Sequence, residues 1–201
     1  MDLVKPDYQA ILQLITPGSS VLDLGCGSGD LLAILEREKK VRGQGIEVDD
    51  KAVFDCVTKG LNVFHSDIDT GLSEYGDKSF EYVIMHMTLQ QVKKPDFVLI
   101  EAMRVGKKVI IGIPNFAHIN ARFQIFFKGR TPVTPALPYE WHDTPNLHFL
   151  SILDFEEYCD RQKIRIEGAH FIGIRGRVKI LPNLFAQTGI FVISGQKDEQ
   201  H

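Results

Sequence analysis

Residues 21–29 read VLDLGCGSG, and this stretch restricts the fold more than any other in the chain. The run Val21-Leu22-Asp23-Leu24 is short, mostly apolar and bounded by turn residues, as a strand buried in a parallel sheet would be. Glycines at 25, 27 and 29 interrupt it, and Leu31, Leu32, Ile34 and Leu35 follow at helical spacing. A strand that turns on three glycines into a helix suits a ligand site. Residues without Cβ let the backbone approach a bound group closely and accept positive φ, while the first helical turn offers free N–H groups. A glycine turn with a purely structural role is the alternative.

The spacing narrows the ligand. A dinucleotide fingerprint would need glycine where the chain has Asp30, and no G-K-[ST] follows to make a phosphate loop. The pattern is D-x-G-x-G-x-G, which resembles motif I of the class I S-adenosylmethionine-dependent methyltransferases. In that family the glycine turn, here Gly25, Cys26, Gly27 and Gly29, passes under the ribose and methionine part. The acidic residue of the strand, here Asp23, sits near the methionine moiety.

The next apolar run, residues 41–48, predicts a second strand with Glu47 near its carboxyl end. A carboxylate about 20 residues past a glycine turn is placed to accept both ribose hydroxyl protons. The resemblance accordingly makes Glu47 the ribose ligand, with Val48 beside the adenine. Asp49 and Asp50 cap the following helix, 51–59. A third strand, 61–64, leads to Asp67 and Ile68. In the resembling family an Asp here accepts from the adenine amino group, and the next backbone meets the ring. Asp69 is the adjacent alternative to Asp67, which lies nearer the strand end, where open α/β sheets bind ligands.

A fourth strand, 82–85, ends at His86. The loop after this strand abuts the sulfonium methyl in the resembling fold, so His86 is a candidate for cofactor contact and for general base. The other reading is that His86 only packs against the cofactor. No D/N-P-P-Y motif follows, which disfavours an enzyme that methylates DNA amino groups. A helix opened by Pro95-Asp96 and a fifth strand, 108–113, come next.

From 115 to 150 the pattern changes. A helix over 117–128 carries more aromatic residues than one buried face needs, and Pro132, Pro135, Pro138 and Pro145 then hold a long irregular loop. The segment has no acidic residue before Glu140, while Arg122, Lys128 and Arg130 make it basic. Tyr139, Trp141, His142 and His148 fit an acceptor pocket or a surface for a protein partner, where aromatic and Arg residues concentrate. A proline-stiffened cover over the core is the third reading. The step from His142 to His148 is no metal-ligand spacing, and no cysteine lies near, so no metal site is expected. A helix over 154–162, capped by Ser151 or Asp154, precedes two strands, 164–174 and 189–194. Arg175, Arg177 and Lys179 in their connection read as a solvated rim.

The expected fold is α/β: a Rossmann-like, doubly wound, seven-stranded and mostly parallel sheet with an antiparallel C-terminal strand. At 201 residues the chain suits one domain, 1–201, with an insert at about 115–150. A net charge of −3 and a pI of about 6.2 argue against nucleic acid or an anionic membrane as partner. Three cysteines, Cys26, Cys56 and Cys159, form no C-x-x-C pair and indicate neither a disulfide framework nor zinc, consistent with a reducing cytoplasm. With Asp2 and Asp7 near the start and no long apolar run, no signal peptide or membrane span is expected. The polar stretch from Gln196 to His201 is expected to fray.

The resemblance can be made closer. The segments KPDYQAIL, PGSSVLDLGCGSGDLL, RGQGIEVDD, TLQQVKKPDFVLIEAMRVGKKVII, PNFAHINARFQIFFKGR and ALPYEWHDTPNLHF together resemble the MetW family. LPYEWHDTPNLH is the most specific of them, with His142 where a tyrosine is commoner. The resemblance is not carried by residues 175–188, and no role is assigned there. The resemblance implies a role in methionine biosynthesis beside homoserine O-acyltransferase. Two functions fit these residues: a methyltransferase acting on a small acceptor, or a module that binds S-adenosylmethionine or S-adenosylhomocysteine and regulates a partner.

Overall fold

The computed structural model describes residues 5–174 and 176–196. Asp2, Arg175 and residues 197–201, on which expectations were placed above, lie outside them. In chain order the elements are α1 (Pro6–Leu14), β1 (Ser20–Leu24), α2 (Asp30–Lys39), β2 (Arg42–Glu47), α3 (Asp50–Thr58) and β3 (Val63–His65). A 3-10 turn (Ile68–Thr70), β4 (Phe80–His86), α4 (Pro95–Val105), β5 (Gly106–Pro114) and α5 (Ile119–Lys128) follow. The chain closes with α6 (Ile152–Arg161), β6 (Ile164–Gly173), β7 (Gly176–Arg177), α7 (Pro182–Phe185) and β8 (Thr188–Gln196).

The strands make one mixed sheet in the order β3-β2-β1-β4-β5-β8-β6-β7. The five from β3 to β5 run parallel, and β8 inserts antiparallel between β5 and β6. Eight strands are found among the described residues where seven were expected. The extra one is β7, a two-residue return of the chain onto the end of β6. It and α7 occupy a connection that has no periodic apolar pattern to announce them.

Side chains alternate across a strand, so each buried strand feeds two cores. Leu22, Val83, Met85, Ile111 and Phe191 pack with α4 and α6 on one face. Val21, Ile84, Ile110 and Ile190 pack with α1 and α2 on the other. Near-continuous apolar runs such as Val109–Ile111 are what burial on both faces requires. Among the described residues no helix is long and apolar enough to cross a membrane, and no group of His, Cys, Asp and Glu is placed to hold a metal ion.

Candidate functional site

From β1 the chain winds outward through β2 and β3, then returns to β4 on the other side of β1. The loops leaving β1 and β4 therefore diverge, and the crevice between them is where open α/β sheets bind ligands. A cleft in two compartments lies there, the larger of about 810 Å³ and the smaller of about 440 Å³. Gly25, Gly27, Met87 and Gln91 line both, so the two join around the glycine turn.

The three glycines serve different ends. Gly25 (φ +71) has no room for a side chain, because a Cβ would lie 2.6 Å from Thr88 Cγ2. Gly29 (φ +77) is the N-cap of α2, where a Cβ would collide with Leu61 and Cys56, and it does not line the cleft. Gly27 (φ +54) faces open space and lines both compartments. Its N–H donates to Glu47 Oε2 at 2.8 Å, while the N–H groups of Val48 and Asp49 donate to Oε1 at 2.8 and 3.0 Å. Glu47 thus ties the glycine turn to the end of β2. Cys26 lines the larger compartment, its Sγ 3.9 Å from that of Cys56, and burial first, then Asp23, pushes its thiol well up.

Glu47, Val48, Asp67 and Ile68 come together in the smaller compartment. Asp67 caps the 3-10 turn by accepting the Asp69 N–H at 2.9 Å. Asp69 lines the same compartment with both oxygens engaged, by the N–H groups of Lys93 (3.0 Å) and Lys94 (2.9 Å). Asp23 lies behind the wall, only 2% exposed. Burial, and then the charge of Glu47, pushes its carboxyl up to about 7.

His86 lines the larger compartment with its ring engaged. Nε2 lies 3.0 Å from Asp7 Oδ2, and a carboxylate only accepts, so this nitrogen carries the proton. Nδ1 is buried without a hydrogen-bond partner over Gly112, where a Cβ would collide with it. Neither nitrogen is free to take a proton from a bound acceptor while Asp7 stays, which weighs against the general-base reading. Burial raises the Asp7 carboxyl, but the hydrogen bond and charge of His86 outweigh it, and the net shift is downward. Tyr8 meets the His86 ring edge-on at 5.5 Å. Its phenol is pushed up to about 12, by burial first and then by Asp7, Asp30 and Asp23. Helix α1 is fastened over the cleft through these two residues.

The 115–150 segment follows β5 and contributes Pro135, Ala136, Pro138, Tyr139 and Asn146 to the lining of the larger compartment. Asn115 anchors its start, donating to the carbonyls of Asn183 (3.0 Å) and Ala186 (2.8 Å). Its return is held by the Gln90 carbonyl, which accepts the N–H groups of Leu147 (2.8 Å) and His148 (3.0 Å). Of the four residues singled out in it, only Tyr139 lines the cleft. Trp141 is 75% exposed on the outer surface, with His142 edge-on beside it. His148 is a structural tie, its Nε2 2.9 Å from the Val92 carbonyl. Helix α5 buries only Ala121, and its Phe123, Phe126 and Phe127 form an exposed cluster with ring centroids 4.6–4.7 Å apart.

Sequence reasoning missed Asp7, Tyr8, Met87, Gln90, Gln187 and Thr188, all of which line the larger compartment. Met87 is in the left-handed region (φ +57), a conformation rare for a side chain of its kind and frequent at functional sites. Its place directly after a predicted strand end was the one signal available. Gln187 and Thr188 gave none, because β8 is brought beside β5 only by the tertiary fold.

The family model described as "Methionine biosynthesis protein MetW" matches residues 5–193. A bifunctional methionine biosynthesis protein MetXA/MetW of Rhodopirellula baltica is 34% identical over 197 residues, 92% of this chain and 32% of its own length. The chain spans about a third of the length of the curated relatives it matches. Among solved structures, an S-adenosylmethionine-dependent methyltransferase from Archaeoglobus fulgidus superposes with a TM-score of 0.71 at 16% identity, covering 96% of this chain and 94% of that one. The [4+2]-cyclase SpnF superposes at 0.65 with 15% identity, covering 95% and 80%. These structural likenesses are of fold, that of the class I methyltransferases.

Proposed function

The chain belongs to the MetW family of methionine biosynthesis proteins, and we propose that its cleft binds S-adenosylmethionine or S-adenosylhomocysteine and that the protein acts with homoserine O-acyltransferase in the cytoplasm. One observation carries the cofactor reading: the glycine turn and the Glu47 carboxylate meet, through the Gly27 N–H, where the two compartments join. Asp67 and Ile68 would hold the adenine, with Val48 beside it, and Glu47 the ribose hydroxyls. Gly25, Cys26 and Gly27 would border the methionine arm, with Asp23 and Gly29 acting from behind the wall. A carboxylate offers about four acceptor sites. Three of those on Glu47 already take backbone N–H groups, so two ribose hydroxyls would displace one of them. The cofactor itself supplies an activated methyl group on sulfonium sulfur.

Isothermal titration calorimetry tests this reading. Wild-type protein should bind S-adenosylmethionine, Gly27→Trp should not, and Glu47→Ala should bind at least tenfold more weakly. Unchanged binding in both variants would sink the site assignment.

The partner reading draws on the MetXA/MetW fusion and on the exposed aromatic face of α5, rimmed by Arg122, Lys128 and Arg130. Contiguous apolar surface of this kind marks interaction sites. Pull-down with homoserine O-acyltransferase should succeed with wild type and fail with Trp141→Ala or Phe126→Glu. Phe126 is 80% exposed, so that variant should keep the wild-type melting temperature. The alternative, methyl transfer to a small acceptor, is favoured by the size of the larger compartment; a methylated product isolated from turnover would establish it. In that case the cleft contributes mainly by holding acceptor and methyl group in line. His86 would serve as a base only after Asp7 releases it.

A further inference from the structure

Helix α5 is ten residues long and buries only Ala121 in its own chain. A helix of that length draws little stability from its backbone, and burial of an apolar face is what normally holds it. Here that face is left open: Ile119, Phe123, Phe126 and Phe127 are all exposed, at i, i+4, i+7 and i+8. This is the spacing of a helix that seats its anchors in a hydrophobic groove of another molecule. The surface is also built in advance. At the head of the helix His118 Nδ1 accepts the Asn120 N–H at 3.2 Å, and Gln124 exchanges two hydrogen bonds with Val133 (2.9 and 3.2 Å), which ties the following loop alongside.

The face does not stop at α5. Phe123, Lys128, Val133 and Pro135 line a groove of about 400 Å³, and Pro135 also lines the larger compartment of the cleft. Ile174 lines that compartment too, and it begins a connection on which Arg177, Lys179, Ile180 and Leu181 are exposed. Helix α5 and this connection therefore border one run of surface that reaches the rim of the cleft.

Charge indicates what fits it. The chain carries a net charge of −3, yet it has no Asp or Glu between Glu101 and Glu140, and none between Glu167 and Asp198. Arg122, Lys128, Arg130, Arg177 and Lys179 are exposed, and among the described residues none of them pairs with a carboxylate. A second copy of the chain meeting this face about a two-fold axis would set these cations against themselves. A flat bilayer would leave the groove beside α5 unfilled, whereas protein side chains can enter it. The Rhodopirellula baltica relative named MetXA/MetW, of which this chain covers 32%, supplies the partner to consider.

We propose that α5, the groove beside it and the connection carrying Ile174, Arg177 and Lys179 form one docking surface, at the rim of the cleft, for an apolar groove rimmed by carboxylates on homoserine O-acyltransferase. The inference rests on the reading of that acyltransferase as the partner, and goes beyond it by placing the contact on two segments far apart in sequence. Biolayer interferometry against the acyltransferase tests it. Affinity should fall roughly tenfold or more in Lys128→Gln/Arg130→Gln and, separately, in Arg177→Gln/Lys179→Gln, and should fall for wild type as salt is raised from about 0.05 to about 0.5 M. Lys107→Glu, at the opposite end of β5, should leave affinity unchanged. All five positions are exposed, so the variants should keep the wild-type melting temperature. A complex indifferent to both double variants overturns the surface. Indifference to Arg177→Gln/Lys179→Gln alone also overturns it, since the contact would then stop at α5, as does an equal loss in Lys107→Glu. Wild type that ignores the acyltransferase but binds phosphatidylglycerol vesicles would give the face to a membrane, and self-association abolished by Phe126→Glu would give it to a second copy; either overturns the proposal. Wild type that binds none of these would instead overturn the partner reading beneath it.

Discussion

Gly25, Gly27 and Gly29 all have positive φ, yet a methyl group added to each meets different surroundings. Strain in the left-handed region costs about 1–2 kcal/mol for a residue with Cβ. Gly27→Ala should lose roughly that much in urea unfolding, while Gly25→Ala adds a collision with Thr88 and should lose measurably more. Equal losses would show that Thr88 gives way freely. Asp23 makes a pH-dependent contribution whose sign follows from its raised value. Unfolded, its carboxyl ionises near 3.8; folded, it keeps its proton to about 7. The fold binds the extra proton between those values, so stability from this group is full below the lower one, falls as pH rises, and levels off above the upper. The total is on the order of 4 kcal/mol. Asp23→Asn should therefore flatten the melting temperature from pH 4 to 7 relative to wild type; parallel profiles would refute the assignment. That these three positions are glycines was legible in the sequence, because φ is a local property. What each would collide with was not, because Thr88 and Leu61 are brought there by other strands.

Helix α1 is held over the cleft by Asp7 and Tyr8, and the element is only nine residues long, too short to persist in isolation. Asp7→Ala removes the partner of a His86 nitrogen, so amide exchange over residues 8–14 should accelerate while exchange in β4 and β5 stays slow. Uniform acceleration would mean that the whole fold, not the latch, was weakened. At the other end, Ser151 and Asp154 both cap α6. The Ser151 hydroxyl accepts the Asp154 N–H at 3.2 Å, and Asp154 Oδ2 accepts the Ser151 N–H at 2.8 Å. The sequence offered them as alternatives; a capping box uses both. Ser151→Ala should cost about 1 kcal/mol in thermal unfolding. Helices and buried strands were legible because their periods are written in the apolar residues. Helix α7 and strand β7 were not, because four and two residues are too few to show a period.

For the molecule as a whole, a ligand that binds only the folded state stabilises it by mass action. S-adenosylmethionine at a hundred times its dissociation constant should add about 2.7 kcal/mol, a rise of several degrees in melting temperature. No rise in wild type would count against the cofactor reading, and an equal rise in Gly27→Trp against the site. The strand-turn-helix of residues 20–39 and the alternation of apolar strands with amphipathic helices were enough to determine an α/β sheet with a glycine turn at the end of β1. They determine it because glycine sterics and side-chain periodicity act over a few neighbouring residues. The tertiary structure alone decided that β8 enters between β5 and β6, setting Gln187 in the same wall as Gln90 and His86. It also decided that α1 closes on His86 while Trp141 faces outward. Asp7 and His86 are 79 positions apart in the chain and Gln90 and Gln187 are 97 apart, and only packing of the finished sheet brings them to one cavity.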